Sequence, residues 1–165
     1  MIKFLVMDVD GTLTDGKIYM GKDGEVCKAF DIKDGCGIKD ILPKHEIIPV
    51  IITARSSVIV KNRCEELGIS MCYQGTRHKY DKLMEIISDY NNEHGEKYTL
   101  ENCAYIGDDI VDLFCMKEIK KSNGIVGCPQ NSAKEVVEVS DFVSHNKGGE
   151  GAVREFIEWI VEVKI

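Results

Sequence analysis

The sequence predicts an α/β fold: a doubly wound parallel sheet with helices on both faces and a small β-hairpin beside it. Three observations carry that expectation. Short apolar, β-rich runs alternate with longer stretches of helical periodicity, the pattern of parallel strands joined through crossover helices. Two of these runs end abruptly in paired aspartates, Asp8 with Asp10 and Asp108 with Asp109. Two further strand-like runs flank an Asp-Gly turn, the signature of a hairpin.

The elements follow in order. Ile2 to Met7 is a first strand that delivers Asp8 and Asp10 at its carboxyl end. Lys17 to Met20 and Glu25 to Phe30, joined by Gly21-Lys22-Asp23-Gly24, form the hairpin, a flap over about 17–30. It is expected to project over the strand ends, where ligands bind in an open, Rossmann-like sheet. Asp34 to His45 reads as a helix and Ile47 to Thr53 as the next strand, followed by a helix from Ser56 to Leu67 and a short strand from Met71 to Tyr73. In the helix His78 to Glu93, Tyr80, Leu83, Ile87 and Tyr90 recur at helical spacing and read as core. The most polar linker is Asn91 to Asn102. Strands at Cys103 to Ile106, Gly124 to Gly127 and Phe142 to Val143 then alternate with helices at Ile110 to Lys117, Ser132 to Val139 and Ala152 to Val163.

Length and composition bound the function. The 165 residues, 44% of them hydrophobic, suit one domain over 1–165 with a substantial core. Seven cysteines, an odd number spaced too widely for CxxC pairs, indicate neither a zinc site nor a disulfide framework and fit a reduced, cytoplasmic protein. No apolar run approaches the ~20 residues that span a bilayer, so no membrane partner is expected. A net charge of −7 argues against nucleic acid, whose backbone is bound by clustered Lys and Arg. The four histidines (His45, His78, His94, His145) lack metal-ligand spacing and read as surface or structural residues.

The chemistry lies at the strand ends. Two carboxylates one residue apart in Asp8-Val9-Asp10-Gly11-Thr12 repel each other at low dielectric unless a cation neutralises them. Gly107-Asp108-Asp109 ends a second strand in the same way and suits an oxygen-ligand shell for Mg²⁺. Between them, Thr53-Ala54-Arg55 places a hydroxyl and a cation at a strand end, with Ser56 or Ser57 available to cap a helix whose amides favour an anion. Lys79 lies where a helix begins, and its ammonium can neutralise a phosphoryl group.

These four positions, in this order, resemble the haloacid dehalogenase superfamily, and the chain from Asp8 to Glu155 is similar to its 3-deoxy-D-manno-octulosonate 8-phosphate (KDO 8-phosphate) phosphatase family. The narrower resemblance rests on Asp15-Gly16, Ile18-Tyr19-Met20, Lys28-Ala29-Phe30-Asp31-Ile32-Lys33-Asp34-Gly35, Tyr73-Gln74-Gly75 and Gly148-Gly149-Glu150-Gly151-Ala152-Val153-Arg154-Glu155. It implies Asp8 as nucleophile, Asp10 as acid and then base, Thr53 and Lys79 on the transferring phosphoryl oxygens, and Mg²⁺ held by Asp8, the Asp10 carbonyl and Asp108. Asp109 and Asp112 are expected in supporting positions, ordering metal waters or orienting Lys79; for Asp112, a solvated helix-capping role is an equal alternative. The resemblance further implies a substrate pocket of Asp31, Lys33, Asp34, Gly35, Lys39, Arg55, Arg63 and Lys79. Read without it, Lys39 and Arg63 are solvated helix residues.

The short interval between Thr53 and Lys79 leaves no room for a cap domain, so the site is expected to be open unless another subunit covers it. The resembling family is tetrameric, with hairpins and C-terminal segments of neighbours closing each site. Phe156, Ile157, Trp159, Ile160, Val161 and Val163 wrap more than one helix face, which fits a tail reaching a neighbour, docking on its own domain being the plainer alternative. By the same resemblance Arg55 favours an eight-carbon acid, since nine-carbon KDN 9-phosphate relatives look acidic there; a phosphatase for a nine-carbon acid, KDN 9-phosphate or N-acylneuraminate 9-phosphate, is the alternative. Ala54 and Lys39 depart from the Gly and Arg common in the family. A receiver domain, the main alternative of another class together with a non-catalytic binding domain, needs an aspartate ending its third strand, where Val50-Ile51-Ile52-Thr53 has none.

Overall fold

The computed structural model describes residues 1–163, so residues 164 and 165 of the expected domain lie outside it. Six parallel strands form one sheet: β1 (Phe4–Met7), β4 (Ile48–Ile52), β5 (Met71–Tyr73), β6 (Cys103–Ile106), β7 (Ile125–Cys128) and β8 (Phe142–Val143). Their order across the sheet is β5-β4-β1-β6-β7-β8, with β1 and β6 at the centre. A separate antiparallel pair, β2 (Tyr19–Gly21) and β3 (Gly24–Cys27), is the expected hairpin. A Thr14–Phe30 bridge closes its base.

Alternation along β1 shows why the fold has two layers. Leu5 and Met7 face a core completed by Ile38, Leu42, Val60, Phe156 and Ile160, from the segment after the hairpin, α2 (Val58–Leu67) and α6 (Ala152–Val163). Phe4 and Val6 face the opposite core, built with Leu83, Ile87, Met116 and Val136 from α3 (Lys79–His94), α4 (Ile110–Lys121) and α5 (Lys134–Val139). Successive strand side chains point to opposite faces, so a continuous apolar run serves both layers.

The helix expected over Asp34 to His45 is divided. A short α1 (Ile32–Cys36) passes into a π turn over Gly37–Ile41, where the Leu42 amide bonds the Gly37 carbonyl, and then into a 3₁₀ turn over Leu42–His45. Pro43 has no amide hydrogen to continue the α ladder. The C-terminal helix also corrects an expectation: Val153, Phe156, Ile157 and Ile160 are buried in this chain, and Trp159 and Val161 pack against the same core. Only Val163 among the named tail residues stays largely exposed. The apolar surplus read from the sequence is therefore absorbed by the domain itself. No helix among the described residues is long and apolar enough to cross a membrane.

Candidate active site

Strand register assembles the site. Met7 pairs with Ile51 on one side and with Ile106 on the other, so the residues after β1, β4 and β6 emerge side by side. Asp8 continues the ladder by donating its amide to the Ile106 carbonyl at 3.1 Å. Thr53 is buried at the end of β4, its amide on the Tyr73 carbonyl at 3.0 Å. Two glycines let the loops close in. A side chain at Gly11, where φ is +92°, would overlap the Asp108 carboxylate, and one at Gly148 would overlap the Gly11 carbonyl.

The centre is a buried charge cluster. Lys79, the first residue of α3, is only 2% exposed, and its Nζ lies 2.9 Å from Asp8 Oδ1 and 2.6 Å from Asp112 Oδ1. Burial would lower the Lys79 ammonium, but the charges of Asp112 and Asp8 outweigh it and hold it raised. Burial and then the Asp112 charge push the Asp8 carboxyl up to about 6, against the opposing pull of Lys79. Asp108, which accepts from the Thr12 hydroxyl at 3.1 Å, is pushed up to about 7 by burial and by its acidic neighbours Asp8 and Asp112.

Carboxylate oxygens of Asp8, Asp108 and Asp112 lie within 4.8 Å of one another. They are not equivalent. Asp112 is fully buried and saturated: Oδ1 accepts from Lys79 and from the Tyr105 hydroxyl at 2.6 Å, and Oδ2 accepts from the amides of Asp108 and Asp109 at 3.1 and 3.2 Å. It therefore orients Lys79 and, as the third residue of α4, closes a capping box on the Asp109 amide, so the helix-capping half of its alternative holds and the solvated half is overturned. Asp8 and Asp108 carry the disfavoured negative charge, and an all-oxygen pair of that kind fits a hard divalent cation such as Mg²⁺. Asp109 caps α4 through the Ile110 amide at 2.7 Å.

Raised carboxyls carry a signed pH prediction. Between about pH 4 and 7 the folded protein holds protons on Asp8 and Asp108 that the unfolded chain has released. The stability they contribute is full below pH 4 and is lost as pH rises toward 7. Thermal unfolding without metal is expected to show Tm falling across this window. Mg²⁺, which binds the ionised pair, is expected to raise Tm more at pH 8 than at pH 5, and Asp108→Asn to flatten both trends. A Tm indifferent to pH and Mg²⁺ would contradict this account.

The substrate-pocket candidates divide. Arg55 is half-exposed beside Asp10, with Nε 3.8 Å from Oδ2. Arg63 lies over the Phe30 ring at 5.5 Å from its centroid, bonds Glu66 at 2.8 Å, and lines an open groove of about 390 Å³ with Phe30, Ile32 and Asn62. Asp31 caps α1 through the Lys33 amide at 2.6 Å, Lys33 is exposed, and Gly35 is buried against Arg63. Two candidates have partners within the chain, Asp34 while lining a small pocket with Asp31, Gly35 and Arg63. Asp34 is buried, and its Oδ1 accepts the Arg154 amide at 2.8 Å, capping α6. Lys39 donates to the Glu66 carbonyl at 3.2 Å, ending α2. Asp34 satisfies an amide at the start of α6 that otherwise lacks a partner, whereas Lys39 stays exposed and meets a carbonyl at the end of α2.

Sequence reasoning assigned no role to Tyr105, Glu25 or Lys28. Tyr105 reads as an ordinary core aromatic, and only the fold reveals its hydroxyl on Asp112. Lys28 contacts Asp10 from the hairpin. Its sequence signals are its place at the head of the Lys28-to-Gly35 run that carries the family resemblance and a Glu three residues before it.

A buried aspartate–lysine pair with a metal-fitting carboxylate beside it, at adjacent strand ends of a doubly wound sheet, fits a phosphatase of the haloacid dehalogenase superfamily. No family model matches the chain. The 3-deoxy-D-manno-octulosonate 8-phosphate phosphatase KdsC of Salmonella typhi is 37% identical over 162 residues, covering 97% of this chain and 79% of that protein. KdsC of Escherichia coli K12 is 36% identical with the same coverage. The chain belongs to the KDO 8-phosphate phosphatase family. Among solved structures, the Moraxella catarrhalis phosphatase in complex with magnesium, phosphate and KDO superposes with a TM-score of 0.85 at 40% identity, covering 98% of this chain and 86% of that one. The cobalt-bound Haemophilus influenzae phosphatase gives 0.83 at 34%, covering 98% and 88%.

Proposed function

We propose that this protein is a Mg²⁺-dependent phosphatase that hydrolyses KDO 8-phosphate to KDO and phosphate. The observation that carries the chemistry is Asp8 held by Lys79 at the centre of a buried acidic cluster, with Asp108 beside it. The named substrate rests on the relatives and is supported by Arg55 and Arg63, cations suited to a carboxylate-bearing sugar.

An Asp8 carboxylate oxygen attacks phosphorus. The bond from phosphorus to the sugar oxygen breaks, its electron pair stays on that oxygen, and Asp10 supplies the proton that completes the sugar hydroxyl. Water then attacks the aspartyl-phosphate and passes a proton to Asp10, and cleavage of the acyl-phosphate link frees phosphate and the Asp8 carboxylate. Lys79 and Thr53 bind the transferring oxygens, and Lys79 is held for this by Asp112. Asp8, Asp108 and the Asp10 carbonyl would hold Mg²⁺, which when bound offsets the repulsion between an anionic nucleophile and an anionic ester.

Residues 1–165 act as one domain with the hairpin as a flap. Ile18, Tyr19, Met20, Val26, Ile32 and Val58 expose apolar surface on and beside that flap. This supports a homotetramer whose neighbouring subunits cover each site. The cysteine spacing supports a cytoplasmic location.

Phosphate release with Mg²⁺ tests the reading, comparing kcat/KM for KDO 8-phosphate, KDN 9-phosphate and N-acetylneuraminate 9-phosphate. A tenfold or greater preference for the eight-carbon ester is expected. Preference for a nine-carbon ester would overturn the substrate, and turnover of none would overturn the phosphatase.

A further inference from the structure

The hairpin reaches the site through a closed ring of four charges. Lys28, its side chain about 1% exposed, contacts Asp10 Oδ1 and lies 2.7 Å from Glu25 Oε1. Arg55 completes the ring from the loop after β4, with Nε 3.8 Å from Asp10 Oδ2 and Nη2 3.8 Å from Glu25 Oε1. The Ser57 hydroxyl donates to Glu25 Oε2 at 2.7 Å, tying β3 to the start of α2. Anion and cation alternate around the ring, so it is neutral, and removing one member leaves partly buried charges unpaired.

We infer that Lys28 is a positioning residue for Asp10, with Glu25 holding Lys28 in turn. This rests on the phosphatase reading above. An acid that protonates a departing oxygen must present one carboxyl oxygen within hydrogen-bond reach, and the terminal torsion of an aspartate is broad and weakly restrained. Lys28 takes Oδ1. Among the described residues the cation nearest Oδ2 is the half-exposed Arg55 at 3.8 Å, beyond hydrogen-bonding distance, which leaves Oδ2 as the oxygen to carry the proton. When the bond from phosphorus to the sugar oxygen breaks, that proton passes to the sugar oxygen and Asp10 is left as a carboxylate on Lys28. The flap is thus part of the site even before another subunit covers it.

Leaving groups of different basicity separate positioning of the acid from general attraction of an anion. The sugar-acid alkoxide needs a proton to depart, whereas 4-nitrophenolate needs none. Lys28→Met is expected to lower kcat/KM for KDO 8-phosphate about 10- to 100-fold, and that for 4-nitrophenyl phosphate less than about threefold. Lys28→Arg is expected to recover most of the loss. Glu25→Gln should shift the ratio of the two esters in the same direction by a smaller factor, and the double variant should lose no more than Lys28→Met alone. Thermal unfolding of each variant reports its folding, and if Lys28→Met does not fold, Glu25→Gln and Lys28→Arg carry the same comparison. Equal loss on both esters, or no loss on either, overturns the inference. Wild-type protein inactive on both overturns the phosphatase reading and this inference with it.

Discussion

Asp8→Asn is expected to abolish Mg²⁺-dependent phosphate release, by roughly 10⁴-fold or more in kcat, while making the metal-free protein more stable. Both effects come from one carboxylate. As a nucleophile it is not replaced by its neighbours in the cluster, because Asp112 is saturated by Lys79, Tyr105 and two amides and Asp108 is the carboxylate assigned to the cation. As a charge it is disfavoured: its carboxyl is pushed from 3.8 up to about 6 despite the Lys79 contact, so the ionised form costs on the order of 3 kcal/mol at neutral pH. Asparagine keeps the shape and removes that cost. Phosphate release and thermal unfolding in chelator at pH 8 measure the two. An inactive variant no more stable than wild type would leave the nucleophile but refute the electrostatics, and an active one would refute the mechanism.

Lys79→Met is the second large effect, with the opposite sign for stability. The ammonium lies between Asp8 and Asp112, both buried. Removing it strands two carboxylates, and breaking a buried pair by deleting one partner costs about 3–5 kcal/mol. Activity should fall by at least roughly 10³-fold, since the transferring phosphoryl oxygens also lose their cation. Adding Asp112→Asn to Lys79→Met removes one stranded charge and should restore part of the stability without restoring turnover. Chemical denaturation of the single and double variants decides the matter, and a Lys79→Met protein as stable as wild type would show that the cluster is not held by this cation.

Much of this was legible because it is local. Two aspartates at the end of an apolar strand announce themselves by their cost, and the alternation of strands with helices implies a sheet covered on both faces. The hairpin was legible from Asp23-Gly24 and the runs around it. Other elements were not. The stretch read as one helix over Asp34 to His45 is α, π and 3₁₀ in turn, with Pro43 barring an α ladder in its last part, and the apolar surplus of α6 proved to be core for its own chain.

The sequence by itself determined the sheet class, the order of the four chemistry-bearing positions and the ionisable groups available to them. Only the tertiary structure decided which of those groups work and which support. Asp112 and Asp108 are indistinguishable as letters, yet one is saturated by donors from three elements and the other, whose carboxylate accepts from Thr12 alone among the described residues, is free to meet a cation. Asp34 and Lys28 take their partners for the same reason, the first buried and capping α6 and the second, given no role by the sequence, carried by the hairpin onto Asp10. A side chain's task depends on its partners and its burial. Both are set by strand register and loop closure among residues far apart in the chain.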